Sequence, residues 1–311
     1  MNLRKLNQDL QNVANKELNE DSTAIEEHLE HITNWLQKQQ HLTARQNNQF
    51  LIAFLRGCKW SLQKTKDKID NYYTIRSFIP EIFTNKDPFL PEIQGILKAG
   101  VCFPLPNTVN PGGPRMMYFS LSNIPRDMID HEAIAKIFFM TLDVLLIEDD
   151  NFTVSGFQLI GDYEKTPSSI FLQISPALLK KYVICITKAY PIRGNMYVGF
   201  NAPGVLETLM NSIVKPLLNE KFQKRFHIFN PNNTEKSYKI INKVLLPEEM
   251  GGQNGSIKEH AIQWKEKLES YRDYFLEDAK YGSNEKLRVG PSKTYDENFG
   301  MDGSFKKLNI D

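Results

Sequence analysis

Residues 131–161 read HEAIAKIFFMTLDVLLIEDDNFTVSGFQLIG, and this stretch sets the class of fold. Its first part places apolar side chains on one broad helical face, which predicts a helix over residues 131–148. Its second part, residues 152–161, is a nearly continuous apolar run, which predicts a strand covered on both faces of a sheet. A long helix leading into a buried strand is the unit of a right-handed crossover in a parallel sheet.

The same alternation continues on both sides of this stretch. Strands are predicted at residues 115–121, 196–200 and 226–229, and a helix at 177–189 that begins after Pro176. The predicted fold class is therefore α/β, with a mostly parallel sheet.

The chain before this sheet has a different texture. Residues 3–80 repeat apolar side chains at helical spacing, which predicts three or four short helices with no strand between them. Charged helices are predicted near residues 234–243 and 257–279.

These changes of texture predict three parts. They are an all-helical N-terminal module (1–90), an α/β domain (91–255) and a C-terminal helix with an extended tail (256–311). Phe299, Phe305 and Leu308 are the side chains expected to dock that tail.

Composition excludes several classes of protein. The 311 residues carry 38 basic and 37 acidic side chains, and this balance argues against nucleic-acid binding. The N-terminus lacks the apolar region of a signal peptide, and the densest apolar stretch is too short to span a bilayer. Cys58, Cys102 and Cys185 are scattered, which is typical of reduced thiols inside the cell. We therefore expect a soluble cytoplasmic protein.

Motifs for catalysis are missing from the sequence. It contains no G-x-S-x-G elbow, no P-loop, no G-x-G-x-x-G after a strand and no H-E-x-x-H. Asp162 and Glu164 follow a strand, where α/β enzymes often place catalytic groups, but they have no partner base nearby in the sequence. A role in the turn is the better interpretation. We expect no enzyme activity, no bound metal and no cofactor.

Residues 203–218, PGVLETLMNSIVKPLL, form an amphipathic helix with a wide apolar stripe. Two interpretations stay open: a helix that covers the sheet, or a movable lid over an apolar cavity, with Pro216 weakening its last turn. Beyond it, Lys221 and Arg225 share a helical face, and Arg193 precedes the third strand. These charges indicate either a solvated surface or a site for anionic lipid headgroups.

Several short segments follow one another in a specific order along the chain. They are FLIAFLR (50–56), NYY (71–73), GILKAG (95–100), QISP (173–176), YP (190–191), NAP (201–203), KPLLNEK (215–221) and LPEEMGG (246–252). This ordered series resembles the CRAL-TRIO lipid-binding family, which includes α-tocopherol transfer protein and cellular retinaldehyde-binding protein. The tail at residues 303–308 resembles that of insect members.

The resemblance implies a sheet that floors a closed apolar pocket, with residues 203–218, here called the gate segment, as its lid. By position in the family, the side chains expected to line the pocket are Phe139, Phe157, Leu159, Tyr182, Cys185, Ile186, Tyr197, Leu206, Leu209, Met210 and Ile213.

The resemblance also implies a phosphoinositide site built from four basic residues. Arg193, Lys221 and Arg225 match three of them and are here called the basic face, while Asn195 stands where relatives carry the fourth. Lys165 replaces a glycine that is usual after the second strand. We therefore expect headgroup binding that is weaker or less selective than in relatives.

The function implied is intracellular binding of a small lipid, of the tocopherol, retinoid or carotenoid class, and its transfer between membranes. A phosphoinositide-containing surface would assist opening of the gate. The protein is expected to act as a monomer that associates peripherally with membranes. The alternative is a phosphoinositide-sensing adaptor in which the pocket ligand matters little; a lipid-modifying enzyme lacks the residues it would need.

Overall fold

The computed structural model describes residues 3–299, and its N-terminal part is helical. Each of α1, α3 and α4 begins at a polar residue (Asn7, Asn47 and Ser61, respectively) whose side chain accepts a hydrogen bond from a backbone N–H three residues on. The elements are α1 (Gln8–Val13, continued by a π turn at Ala14–Leu18), α2 (Ile25–Gln37), β1 (Leu42–Thr43), α3 (Asn48–Gly57), α4 (Leu62–Phe78) and α5 (Pro80–Phe83).

One detail of this part corrects the prediction. A two-residue strand, β1, interrupts the helices, because Leu42 and Thr43 pair antiparallel with Ser283 and Gly282 near the other end of the chain. Neither segment has a strand pattern of its own, so only the tertiary structure creates this pairing.

A helix, α6 (Pro91–Ala99), leads into a five-stranded sheet. The sheet has the order β2-β3-β4-β5-β6, with β2 antiparallel and the other neighbours parallel, which confirms the predicted α/β class. The strands are β2 (Cys102–Pro104), β3 (Arg115–Ser120), β4 (Phe157–Asp162), β5 (Gly194–Phe200) and β6 (Phe226–Ile228).

The strand predicted at 152–161 begins later than expected. Asn151–Ser155 form a π turn, and the strand starts only at Phe157. Gly156 separates the two with φ +87, and a Cβ there would lie 2.2 Å from the carbonyl oxygen of Arg193. Only glycine fits this left-handed, crowded position.

Helices cross over between the strands. The helix predicted over 131–148 is present with those bounds, and the gate segment is a composite of three helical types. The elements are α7 (His131–Glu148), α8 (Ser168–Leu172), α9 (Pro176–Ile184, continued by a π turn at Cys185–Ala189), α10 (Gly204–Leu209, continued by a π turn at Met210–Val214 and a 3-10 turn at Lys215–Leu217) and α11 (Glu220–Gln223).

The chain after the sheet returns to the N-terminal module. The helix expected at 234–243 is a 3-10 turn, Thr234–Lys239, and the helix expected at 257–279 breaks at Tyr271. Phe299 is buried, whereas Phe305 and Leu308 lie outside the described residues. The remaining elements are α12 (Ile257–Ser270), α13 (Arg272–Asp278), β7 (Gly282–Ser283) and α14 (Tyr295–Phe299).

A buried charge cluster joins the parts of the chain. Arg76 and Lys86, from the helical module, both contact Asp143 of α7 and Asp278 of α13, with Lys86 Nζ 2.9 Å from Asp143 Oδ2. Tyr190 adds a hydroxyl that donates to Asp143 at 2.7 Å. Because each buried charge has an opposite charge beside it, the cluster holds the three segments in one arrangement.

No helix within residues 3–299 is long and apolar enough to cross a bilayer.

Candidate functional site: an apolar cavity on the sheet

A cavity of about 220 Å³ lies between the sheet, α7, α9 and the gate segment. By the same measure a single water molecule needs only about 10–15 Å³, so the space suits a larger guest. Its lining, as far as residues 3–299 describe it, includes no Asp, Glu, Lys or Arg side chain and is almost wholly apolar. Such a cavity does not hold water well, and it is complementary to an apolar ligand.

Most side chains predicted for the pocket lie around this cavity. Each comes from the element expected of it: α7, the sheet strands, α9 or the gate segment. They are Phe139, Phe157, Leu159, Tyr182, Ile186, Tyr197, Leu206 and Met210. Their contact with a ligand stays a prediction.

Cys185 does not line the cavity. Its side chain is fully buried in the main core, in the π turn that packs against α4. Burial raises the pKa of its thiol, so it is a packing residue and not a reactive one. The structure thus places Cys185 outside the cavity lining that was expected to include it.

Leu209 and Ile213 also lie outside the lining. The gate side chains that do face the cavity are spaced four residues apart: Leu206, Met210, Val214 and Leu218. A regular helix of 3.6 residues per turn would bring Leu209 and Ile213 onto the same stripe. The π turn at Met210–Val214 contains extra residues per turn and keeps every fourth residue on one face.

The sequence prediction missed other aromatic and aliphatic lining residues, including Phe119, Leu121, Phe138, Tyr163 and Phe171. A signal existed for the first two, since alternate residues of a strand share a face. Tyr163 and Phe171 come from the connection after β4, where no periodicity indicates direction.

The few polar groups of the lining are mostly paired. Tyr182 donates to the carbonyl oxygen of His131 at 2.9 Å, and the hydroxyls of Tyr163 and Tyr197 lie 2.8 Å apart. His131 Nε2 is buried and has no partner among the described residues. Burial lowers the pKa of His131 and raises that of Tyr163 to about 12, so the cavity is uncharged at neutral pH.

Asp162 has the turn role expected of it. Its carboxylate accepts hydrogen bonds from the backbone N–H of Glu164 and from the hydroxyl of Tyr118, both at 3.2 Å. Burial raises its pKa. Within residues 3–299, no group of three or more His, Cys, Asp or Glu side chains is arranged to hold a metal ion.

The three residues of the basic face differ in exposure and in their contacts. Lys221 and Arg225 are exposed and form no ion pair in the part of the chain that the structure describes. Arg193 is partly buried. Its Nη1 lies 3.2 Å from Oε2 of Glu17, and its Nη2 donates to the carbonyl oxygen of Val154. Asn195 donates to the carbonyl oxygen of Ser155 at 2.9 Å.

The parallel sheet brings these residues to one edge. Arg193 precedes β5 and Arg225 precedes β6, and neighbouring parallel strands begin at the same side. The ring of Phe222, beside Lys221, packs over Gly194. The exposed side chains of Lys221 and Arg225 therefore share this edge with the engaged Arg193.

The fold and the cavity define a class: an α/β protein that encloses an apolar binding site between its sheet and a covering helix. Comparison with known families agrees. The CRAL/TRIO domain profile matches residues 98–252, and a profile described as Pinta-like, UBA domain, matches residues 21–93. The chain belongs to the CRAL/TRIO family of lipid-binding and transfer proteins.

Relatives in this family are distant. Human alpha-tocopherol transfer protein-like is 26% identical over 239 residues, which cover 76% of this chain and 67% of that protein. Clavesin-1 of Xenopus laevis is 24% identical over 237 residues, covering 76% and 70%. A solved structure titled "Crystal structure of Sfh5" is similar with a TM-score of 0.46 and 14% identity, over 83% of this chain and 92% of that one.

Proposed function

We propose that this protein encloses one small hydrophobic lipid in the apolar cavity and carries it between membranes, without catalysing a reaction on it. The observation that carries the proposal is the cavity lining, which offers apolar surface and no charged side chain within the described residues. A lipid enclosed there loses water-exposed apolar surface at about 25 cal/mol per Å². We propose a cargo of the tocopherol, retinoid or carotenoid class. Relatives named for tocopherol transfer support the first of these.

The gate segment is the part proposed to move. Its inner positions line the cavity, while Asn211 and Ser212 on its outer side are exposed. At one end, a Cβ on Gly204 would meet nothing within 4 Å; at the other, the helix stops at Leu218, which is extended. Asn201, just before the segment, is fixed by a 2.8 Å hydrogen bond from Thr234. The segment thus follows a fixed residue, Asn201, and has open space around Gly204, its second residue.

The surroundings of the gate suit a membrane. Leu172, at the end of α8, is 72% exposed, and α8 contacts α10. Leu217, in the gate segment, is also exposed. With Lys221 and Arg225 close in sequence to the gate, apolar and cationic side chains lie on the same part of the chain. We propose that anionic lipid, including phosphoinositide, binds this basic face and favours the open gate by binding it more tightly than the closed one.

We also propose an identity for each of the three predicted parts of the chain. Residues 91–255 are the proposed lipid-binding domain, residues 1–90 the helical module, and residues 256–311 the C-terminal helix and extended tail. The protein is proposed to act as a cytoplasmic monomer that visits membranes.

The test is transfer of a fluorescent tocopherol analogue between vesicles that contain or lack phosphoinositide. K221E/R225E should slow transfer to phosphoinositide vesicles and leave transfer to neutral vesicles unchanged. K239E/K258E is the matched control, since it makes the same change of net charge at two exposed lysines elsewhere. Equal rates for the two double variants would contradict the docking role. Vesicle binding by the wild type without any transfer would contradict the carrier and favour an adaptor.

A further inference from the structure

Two tyrosine hydroxyls lie side by side in the largely apolar cavity. Tyr163 follows β4 and Tyr197 lies on β5, and their hydroxyl oxygens are 2.8 Å apart. Both side chains line the cavity, and they are only 5% and 4% exposed. Binding of an apolar ligand does not require hydroxyls at this place, since phenylalanine side chains would fill the same space.

The two hydroxyls have one more O–H hydrogen than their mutual hydrogen bond uses. Two hydroxyls carry two hydrogens, and their mutual hydrogen bond uses one of them. Neither oxygen has another partner among residues 3–299, so one O–H stays without an acceptor. Buried donors are rarely left unpaired, because their loss of water is costly. The other lining hydroxyls are satisfied: Tyr182 donates to His131 and Thr187 donates to the carbonyl oxygen of Val183 at 2.7 Å.

The sheet is shaped around the pair. Gly161 on β4 and Gly199 on β5 leave the floor bare beneath the two hydroxyls. A Cβ on Gly161 would lie 2.5 Å from the Tyr163 oxygen, and one on Gly199 would lie 3.1 Å from the Tyr197 oxygen. Any larger residue at Gly161 would displace the tyrosine.

The rings are held in place by aromatic neighbours. Tyr197 stacks on Phe226 with ring centroids 4.5 Å apart, and Tyr163 meets the ring of Phe171 edge-on at 5.7 Å. The aromatic neighbours therefore hold the hydroxyl pair in position before a ligand arrives. Because the donor is already ordered, little conformational entropy is lost when it binds a ligand.

We propose that Tyr163 and Tyr197 bind the polar end of the cargo, and that this end is a neutral oxygen acceptor such as a hydroxyl or carbonyl. This inference rests on the proposed carrier function and narrows its cargo. A hydrocarbon would leave the spare hydrogen unpaired. A fatty carboxylate would bury a charge with no cation beside it, since no Lys or Arg belongs to the described lining. His131 Nε2 is a second unpaired atom, but its ring is partly exposed, so it defines the site less firmly.

The test compares two ligands that differ only in a hydroxyl, 1-hexadecanol and hexadecane. Each competes for the cavity with diphenylhexatriene, a fluorescent hydrocarbon without polar atoms. In Y163F/Y197F, the affinity for hexadecanol relative to hexadecane should fall about three- to tenfold, the value of one hydrogen bond. Diphenylhexatriene cannot accept a hydrogen bond, so its own affinity is measured for each variant and cancels from the ratio. The double variant should fold, because removing both partners leaves no orphaned group.

Two further variants make the result specific. Y163F and Y197F each keep one hydroxyl free to donate, so either single variant should retain more of the preference than the double variant. Y182F removes a lining hydroxyl that is already paired, and it should leave the ratio unchanged. An unchanged ratio in Y163F/Y197F, or an equal fall in Y182F, would overturn the inference while leaving the carrier function intact. If diphenylhexatriene does not bind the wild type at all, the carrier proposal itself fails.

Discussion

At the scale of single residues, the buried charges contribute to how the stability of the protein responds to acid. Asp278 sits between Arg76 and Lys86 and is nearly inaccessible to solvent. Burial alone would raise the pKa of its carboxyl group, but the two cations more than offset this and lower the pKa to about 2. In the unfolded chain the same group titrates near 3.9.

The sign of the effect follows from these two values. The unfolded chain takes up a proton near pH 4, whereas the folded chain keeps Asp278 ionised until about pH 2. The stabilisation is therefore complete above about pH 4 and is lost as the pH falls through about 2. We predict that the free energy of unfolding, measured with urea, decreases from pH 4.5 to pH 2.5.

D278N should make this decrease shallower, because it removes the titrating group. It should also be less stable than the wild type at pH 7, by about 3–5 kcal/mol, since Arg76 and Lys86 then lose a partner in the interior. D127N, at an exposed aspartate, should follow the wild-type curve. Parallel curves for D278N and the wild type would show that Asp278 does not carry the acid response.

Residue roles were predictable from sequence only where a pattern gives direction. Phe157 and Leu159 were assigned to the pocket by their position in the family, and the alternation of side chains along a strand agrees with both lying on one face. Tyr163 was not assigned, because it lies just after β4 in a turn. Its pairing with Tyr197 depends on two glycines that leave space, and neither glycine indicates a binding site in the sequence. The contact of Arg193 with Glu17 joins residues far apart in the chain, and no local pattern predicts it.

At the scale of elements, the gate segment is amphipathic as expected, but its inner face differs from that of a regular helix. The π turn at Met210–Val214 moves Leu209 and Ile213 away from the cavity and brings Val214 and Leu218 to it. Periodicity at 3.6 residues could not reveal this, because a π turn has no distinct composition.

The orientation of the gate segment predicts which substitutions weaken ligand binding. M210E places a carboxylate on the cavity side of the gate, and S212E places the same group two residues away on the exposed side. Because an unpaired charge is costly in an apolar site, M210E should weaken binding of diphenylhexatriene at least tenfold, and S212E should not change it. Thermal unfolding of both variants checks that the fold is retained. Equal binding by M210E and S212E would contradict the orientation of the gate.

Other elements show the limit of sequence patterns. Residues 152–155 were predicted as strand because a short apolar run suits a buried strand or a buried helix equally well. The chain resolves the ambiguity at Gly156, whose positive φ ends the helical turn and starts β4.

At the scale of the whole molecule, the C-terminal segment holds the helical module and the α/β domain together. Arg288 pairs with Asp70 of α4 at 2.6 Å, and Lys293 pairs with the same carboxylate at 3.1 Å. Tyr295 then packs on Phe78, and α14 contacts α9, one wall of the cavity. The order of the elements and the family were predictable from sequence, because helices and strands alternate and short segments match relatives. These long-range contacts were not, because charged residues look alike in sequence whether they are paired or solvated.

The lipid content of the purified protein shows whether the cavity carries a lipid. Wild-type protein and M210E would be incubated with vesicles of a total cellular lipid extract, separated from them, extracted with organic solvent and analysed by mass spectrometry. We predict about one neutral lipid with a single polar oxygen end group per wild-type chain, and far less in M210E. A wild-type protein that retains no lipid, or the same lipids in equal amounts on both proteins, would contradict it.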